Sequence, residues 1–117
     1  MNAREFGKLL SRDLHCLHCG LEDETLVVQH RINRGMGGAG ANSKRNKPSN
    51  LLVLCSAFNG LIESDPDAAQ EARARGYKLE SWQDPLMQPV WDSLRSKWLF
   101  LDDSYGSFEA YEWDELP

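Results

Sequence analysis

The sequence predicts a single α+β domain in which two strands, separated by a long loop, are followed by a helix. An apolar, β-branched run at 25–30 and a second apolar run at 51–54 predict the strands. The span 33–49 between them is rich in glycine, asparagine and lysine and contains Pro48, which favours a loop. A helix is expected at 56–64. With 117 residues, the chain can build one modest core but not two.

Local signals predict the elements on either side. Residues 3–13 carry apolar residues on one side and are expected to form a short helix. Asp65 and Pro66 are typical of a helix start, and Gly76 is typical of the left-handed residue that ends a helix at 67–75.

The C-terminal part is expected to contain a short strand near 77–79 and an apolar strand at 98–101. Asp103-Ser104-Tyr105-Gly106 predicts the turn of a hairpin. The expected organisation is therefore an N-terminal helix (1–13), a core that includes a knuckle (14–76), a strand and hairpin extension (77–108) and an acidic tail (109–117).

Charge is segregated along the chain, although the net charge is −5. Residues 102–117 carry only acidic charges. Residues 31–50 carry only basic charges, and a basic segment of this kind favours contact with phosphates, although basic loops are also often merely solvated. The basic residues are Arg31, Arg34, Lys44, Arg45 and Lys47.

Three cysteines cannot form a disulfide framework, and their spacing is more typical of metal binding. Cys16 and Cys19 form a C-x-x-C knuckle, and Cys55 follows the second apolar run. The alternative for Cys55 is a small buried hydrophobic residue. No apolar run reaches the ~20 residues that span a bilayer, and no signal-peptide pattern precedes the knuckle. A cytoplasmic protein with no membrane partner is therefore expected.

The first strand ends on Gln29-His30-Arg31, and the basic glycine loop Arg34-Gly35-Met36-Gly37-Gly38 follows. Histidine titrates near neutral pH, so His30 can accept the proton of a water that attacks a phosphodiester. A cation beside the leaving oxygen would complete such a site. An isolated histidine would instead suggest a structural role, and the flanking sequence favours the catalytic one.

The chain resembles the HNH nuclease superfamily in the order of its features, which are the knuckle, the strand end at His30, the glycine loop, Asn50 and Asn59. That family cleaves nucleic-acid phosphodiesters with one histidine and one divalent metal ion. The resemblance covers about residues 14–108. Its later part, including Gly60-Leu61-Ile62-Glu63-Ser64 and Asp84-Pro85, is similar to small, often phage-encoded HNH proteins. It implies a ββα-metal (HNH/His-Me finger) core with short flanking helices and a C-terminal β-hairpin.

The resemblance also implies roles for individual residues. His30 matches the general base, and Asn50 matches the asparagine that orients the histidine and braces the loop. Gln29 and Asn59 match ligands of a Mg²⁺ or Mn²⁺ ion, but two neutral amides are poor partners for such an ion. Glu63 shares a helix face with Asn59 and is hypothesised to supply the missing charge. A solvated or structurally paired Glu63 is the alternative.

Many members of the superfamily also hold a structural Zn²⁺ between two C-x-x-C pairs. Cys16 and Cys19 match the first pair and Cys55 begins the second, but Phe58 stands where the last cysteine would be. Two readings remain open. Either His15 or His18 supplies a fourth ligand, or zinc is absent and Phe58 fills the space.

The function that the resemblance implies is a metal-dependent DNA endonuclease or nickase, with the basic residues contacting phosphates. Its setting would be the cytoplasm of a bacterium or of a phage-infected cell. The alternative is a catalytically weakened HNH-fold protein that binds nucleic acid, or binds a phage or host protein through the acidic tail with Tyr111 and Trp113. A solvated tail is the simpler interpretation of that segment. A plain zinc-ribbon module would leave His30, Asn50 and Asn59 unexplained.

Overall fold

Three α-helices and two antiparallel sheets make up the described part of the chain, which confirms the α+β class. The computed structural model describes residues 1–33 and 44–111. The helices are α1 (Ala3–Asp13), α2 (Ser56–Ser64) and α3 (Pro66–Ala74). The strands are β1 (Leu26–His30), β2 (Leu51–Cys55), β3 (Val90–Asp92), β4 (Lys97–Leu101) and β5 (Ser107–Glu109). None of the described helices is both long and apolar enough to cross a membrane.

The strand β2 organises the core because it is buried along its whole length. It pairs antiparallel with β1, so that Leu26 lies opposite Cys55 and His30 lies opposite Leu51. Successive side chains of a strand point to opposite faces. Leu51 and Val53 therefore pack with Leu9 of α1, whereas Leu52 and Leu54 join the larger cluster under α2 and α3. One apolar strand thus separates two clusters of the core.

The helix α2 begins directly after β2 and ends close to the start of α3. The Cys55 side chain caps α2, and the Asp65 side chain accepts the backbone N–H of Asp67 at the start of α3. Pro66 occupies the first turn of α3, where its missing N–H costs nothing. Gly76 follows α3 with φ of +83°, the left-handed conformation that the sequence predicts.

The expected strand near 77–79 is wrong. The backbone N–H groups of Tyr77 and Lys78 both return to the carbonyl of Ala72, at 2.8 and 3.2 Å. Leu79 donates to the Arg31 carbonyl at 2.7 Å. The segment therefore completes the end of α3 and makes one bond to the chain after β1, instead of forming a ladder.

The hairpin is present where the sequence predicts it. The strands β3, β4 and β5 form one antiparallel sheet in that order, and residues 103–106 turn between β4 and β5. The Asp102 side chain accepts the backbone N–H groups of Ser104 and Gly106 at 2.8 and 2.7 Å. The turn is thus built around one carboxylate.

Part of the predicted loop at 33–49 is regular. Residues 44–46 and 48–50 form two 3₁₀ turns that lead into β2. Residues 34–43 lie outside the described ranges, as do residues 112–117 of the predicted acidic tail.

Arg31 ties together segments that are distant in sequence. Its side chain is fully buried, and the guanidinium donates to four backbone carbonyls. The acceptors are Gly76 at 2.8 Å, Ser49 and Pro85 at 2.9 Å, and Gln88 at 2.7 Å. One charged group therefore fixes the chain before β2, the end of α3 and the segment 85–88 relative to one another.

Replacing Arg31 by alanine is expected to destabilise the fold. Hydrogen bonds to charged groups are worth roughly 1.5–3 kcal/mol each, so Arg31→Ala should lower the free energy of unfolding by about 3 kcal/mol or more. Urea denaturation measures it. The control is Arg73→Ala, which removes an exposed ion pair with Glu80 and should cost under about 0.5 kcal/mol. Equal effects of the two substitutions would contradict the structural role of Arg31.

A pair of glycine substitutions should have opposite effects. A Cβ at Gly76 would lie 2.1 Å from the Pro89 carbonyl oxygen and would force a left-handed alanine, so Gly76→Ala should cost about 2 kcal/mol or more. Gly60 lies within α2, and a Cβ there meets nothing within 4 Å. Gly60→Ala should therefore stabilise the protein by about 0.5–1 kcal/mol. Thermal unfolding of both variants checks the prediction, and a Gly76→Ala protein as stable as the unmodified chain would refute it.

Candidate functional site

The structure brings together two predicted metal ligands that are distant in sequence. The Asn59 amide, on α2, donates to the Gln29 side-chain oxygen, near the end of β1, at 2.7 Å. The Gln29 amide in turn donates to the Tyr77 carbonyl at 3.2 Å. This contact follows from the fold, because β1 pairs with β2 and α2 begins at the end of β2.

The predicted third member of this set is Glu63. It lies on α2 four residues after Asn59, so helix geometry places both on one face, and it is exposed. Glu63 is the only charged group among the three. Mg²⁺ prefers carboxylate oxygens and retains several waters, so the two amides form a weak site unless a carboxylate joins them.

His30 lies at the end of β1, beside a residue that the sequence did not single out. Its Nε2 is 3.1 Å from the side-chain oxygen of Asn46. This contact orients the imidazole ring at the end of β1. Strand alternation directs the side chains of His30 and Gln29 to opposite faces of β1.

Asn50 connects the described residues on either side of the segment 34–43. Its side-chain oxygen accepts the Ile32 N–H at 2.9 Å, and its amide donates to the carbonyls of Ile32 and Arg45 at 3.1 and 2.8 Å. The side chain is buried with 1% of its surface exposed. These three bonds use most of its hydrogen-bonding capacity, so Asn50 links Ile32 to Arg45 on the other side of that segment.

A cavity of about 330 Å³ lies next to Asn50 and Arg45. The Arg45 guanidinium also donates to the Asn33 carbonyl at 2.6 Å. The cavity thus combines one cation, one carboxylate and several neutral polar side chains close to the predicted phosphate-binding loop. Its other lining residues include Ser81, Gln83 and Asp84.

The basic residues of this predicted loop differ in how much of each side chain is exposed to solvent. Arg31 was expected to contact phosphate, but its guanidinium is buried on four carbonyls and cannot reach a ligand, which corrects that expectation. Burial lowers the pKa of its guanidinium, and repulsion from Arg12 acts in the same direction. Lys47 is exposed. Arg34 lies outside the described residues, as does the side chain of Lys44.

The three cysteines form a cluster. Their sulfur atoms lie within 4.8 Å of one another. The sulfurs of Cys19 and Cys55 are 3.9 Å apart, close to the separation of about 3.8 Å that a tetrahedral zinc ion with Zn–S bonds of about 2.3 Å requires. The knuckle that places Cys16 and Cys19 is closed by the Gly20 N–H, which donates to the Cys16 carbonyl at 2.8 Å.

Burial of Cys16 opposes a thiolate, whereas nearby backbone N–H groups favour one. Burial raises the pKa of the Cys16 thiol to about 12, and the backbone N–H groups of Cys19, Cys55 and His18 act in the opposite direction. Backbone donors directed at a buried sulfur are ready to bind a thiolate once a cation compensates its charge. The cluster could therefore bind a metal ion such as zinc.

Neither neighbouring histidine joins the cluster, which argues against the alternative in which His15 or His18 is the fourth ligand. The Nε2 of His15 is 2.8 Å from a carboxylate oxygen of Asp92, and both side chains are buried. The Nε2 of His18 is 2.9 Å from a carboxylate oxygen of Glu71, and its ring stacks on Phe58 at 3.6 Å. Each imidazole bonds a carboxylate that lies far away in sequence. No local sequence pattern predicts either pairing.

Comparison with known proteins adds no relative. No protein-family model matches the chain, and comparisons with curated proteins and with solved structures likewise give no match. The class that fold and site define is therefore an α+β domain with a three-cysteine cluster able to bind a metal ion.

Zinc is expected to stabilise the protein through this cluster. A ligand that binds only the folded state, at about 100 times its dissociation constant, stabilises by about 2.7 kcal/mol, so zinc should raise the melting temperature by several degrees. Thermal unfolding with and without a chelator measures the effect. Cys19→Ser should abolish the shift, and the same concentration of Mg²⁺ serves as the control. A zinc-dependent shift of equal size in Cys19→Ser would rule out the cluster as the binding site.

Proposed function

We propose that the chain is an HNH-type, divalent-metal-dependent DNA endonuclease or nickase with a ββα-metal core. The observation that supports this most strongly is the contact between Gln29 and Asn59. These two residues were selected from the sequence as ligands of one ion, 30 positions apart, and their side chains meet across β1 and α2. The convergence of the three cysteines is a second observation that fits the resemblance, because Cys16, Cys19 and Cys55 match its zinc-binding positions.

His30 would act as the general base. The contact with Asn46 orients the ring, and a ring nitrogen would take the proton of the attacking water. Asn50 would brace the loop by bonding Ile32 and Arg45 on either side of the segment 34–43. A divalent ion held by Gln29, Asn59 and Glu63 would supply positive charge beside the leaving oxygen. Because His30 and Gln29 lie on opposite faces of β1, the scissile phosphate would have to lie at the end of the strand, where both can reach it.

DNA would be bound mainly through its phosphates. One short basic segment contains the residues for these contacts, which are Arg34, Lys44, Arg45 and Lys47. Contacts with phosphates position a nucleic acid without reading its sequence. Little sequence preference is therefore expected. The acidic tail would offer a surface for a phage or host protein, and the protein would act in the cytoplasm of a bacterial or phage-infected cell.

A second candidate function is binding without hydrolysis, by a catalytically weakened HNH-fold protein. The same amide pair favours it, because the Gln29 oxygen already accepts a hydrogen bond from Asn59. Neither amide carries charge, and among the described residues the cysteine cluster is the only group of three or more histidine, cysteine or acidic side chains placed to hold an ion. The basic segment would still bind nucleic acid in such a protein.

Nicking of supercoiled plasmid in Mn²⁺ or Mg²⁺ tests the two candidates. His30→Ala should lower the nicking rate by roughly 100-fold or more, since a general base typically contributes that much. Glu63→Ala should lower it as well, and Gln29→Asp should raise it by adding a carboxylate to the site. Gln70→Ala, on the exposed side of α3, is the control.

The outcomes separate the candidates clearly. Metal-dependent nicking that is unchanged in His30→Ala would rule out the proposed base. Plasmid that is bound but never nicked, with binding weakened by Lys47→Ala and not by Gln70→Ala, would support the binding module instead.

A further inference from the structure

The three-cysteine cluster raises the question of its fourth ligand. Structural zinc sites are almost always four-coordinate, and three sulfurs fill only three positions. The whole chain contains three cysteines and three histidines, so every thiol and every imidazole can be accounted for. All six lie within the described residues.

The histidines lie outside the cluster. No ring nitrogen of His15 or His18 joins the group of ligand atoms within 4.8 Å of one another, which holds the three sulfurs alone. His30 lies at the far end of β1, since Leu26 pairs with Cys55 and His30 with Leu51. Four strand residues span roughly 13 Å, which is too far for a ligand. Among the residues that the structure describes, no carboxylate joins the sulfur cluster either.

Phe58 occupies the place where a second knuckle would supply its last ligand. Its backbone N–H donates to the sulfur of Cys55, three residues earlier, at 3.5 Å. The side chain, however, is an apolar ring that packs on His18 and Tyr77.

The cluster nevertheless reaches the surface. Cys16 and Cys55 are buried, whereas Cys19 is exposed. Solvent therefore has access to the cluster on the side of Cys19. Three protein ligands plus one water is the arrangement in which zinc exchanges its fourth ligand.

We propose that Cys16, Cys19 and Cys55 form a three-thiolate zinc site whose fourth ligand comes from outside the chain and is exchangeable. Water fills that position by default, and a small thiol replaces it, because thiolate is the ligand that a soft, sulfur-rich zinc centre prefers. The site is thereby distinct from a closed four-cysteine structural centre. The proposal does not depend on phosphodiester hydrolysis.

Cobalt substitution tests this on the full chain. Co²⁺ bound to thiolates absorbs light by charge transfer from sulfur and has visible bands that report its ligands. The expected result is one Co²⁺ per chain, and addition of 2-mercaptoethanol should change the visible bands and increase the charge-transfer absorption by roughly one third, as a fourth thiolate joins three.

Two substitutions at one position sharpen the test. Phe58→Cys supplies the missing thiolate, so its spectrum should already match four thiolates and should not respond to 2-mercaptoethanol. Its zinc affinity should rise by roughly 10-fold or more, since even outer-shell partners are worth that much. Phe58→Ala removes the ring without adding a ligand and should keep the thiol-responsive spectrum.

Three results would overturn the proposal. One is an unmodified protein whose Co²⁺ spectrum ignores added thiol, since the chain would then supply the fourth ligand itself. Another is one metal ion shared between two chains, and the third is failure of the unmodified chain to bind Zn²⁺ or Co²⁺. None of these depends on plasmid nicking, so the proposed nuclease and this site can fail separately.

Discussion

A single buried positive charge holds the functional region of this fold together. The Arg31 guanidinium follows β1 directly and bonds the carbonyls of Ser49, Gly76, Pro85 and Gln88. A charge removed from water is tolerated only where polar partners surround it, so the three segments that carry these four carbonyls must converge on one point. The end of β1, the start of β2 and the end of α3 are thereby fixed together, and the proposed catalytic residues lie on or beside these elements.

The second constraint is the uninterrupted burial of β2. Because each of its faces supports a separate apolar cluster, the strand cannot shift its register without exposing one of them. The fixed register places Cys55 at the end of the strand, beside the Cys16 knuckle, and starts α2 there. The cysteine cluster and the contact between Gln29 and Asn59 both follow from this single placement.

The candidate site shows which inferences a sequence supports and which it does not. The family resemblance selected Gln29 and Asn59, whereas spacing selected the three cysteines, and the structure brings each set together. Arg31 was assigned to phosphate because of its charge and its place in a basic segment. Whether an arginine reaches solvent or turns inward depends on acceptors up to 57 residues away, and no local pattern encodes these. The same holds for His15 and His18, whose carboxylate partners lie at Asp92 and Glu71, and for Asn46, which has no distinguishing signal.

Short-range patterns in the sequence account for the local elements of this protein. Apolar periodicity, the proline and glycine at the ends of α3, the C-x-x-C knuckle and the hairpin turn are short-range signals, and the elements that they predict are present. The expected strand near 77–79 was wrong because its backbone donors were drawn back to Ala72 at the end of the preceding helix. The contacts between polar groups could not be predicted from local patterns, because they depend on packing between segments that are far apart in the chain. The tertiary structure thereby made Arg31 a buried structural charge and left three sulfurs together without a fourth ligand from any residue that it describes.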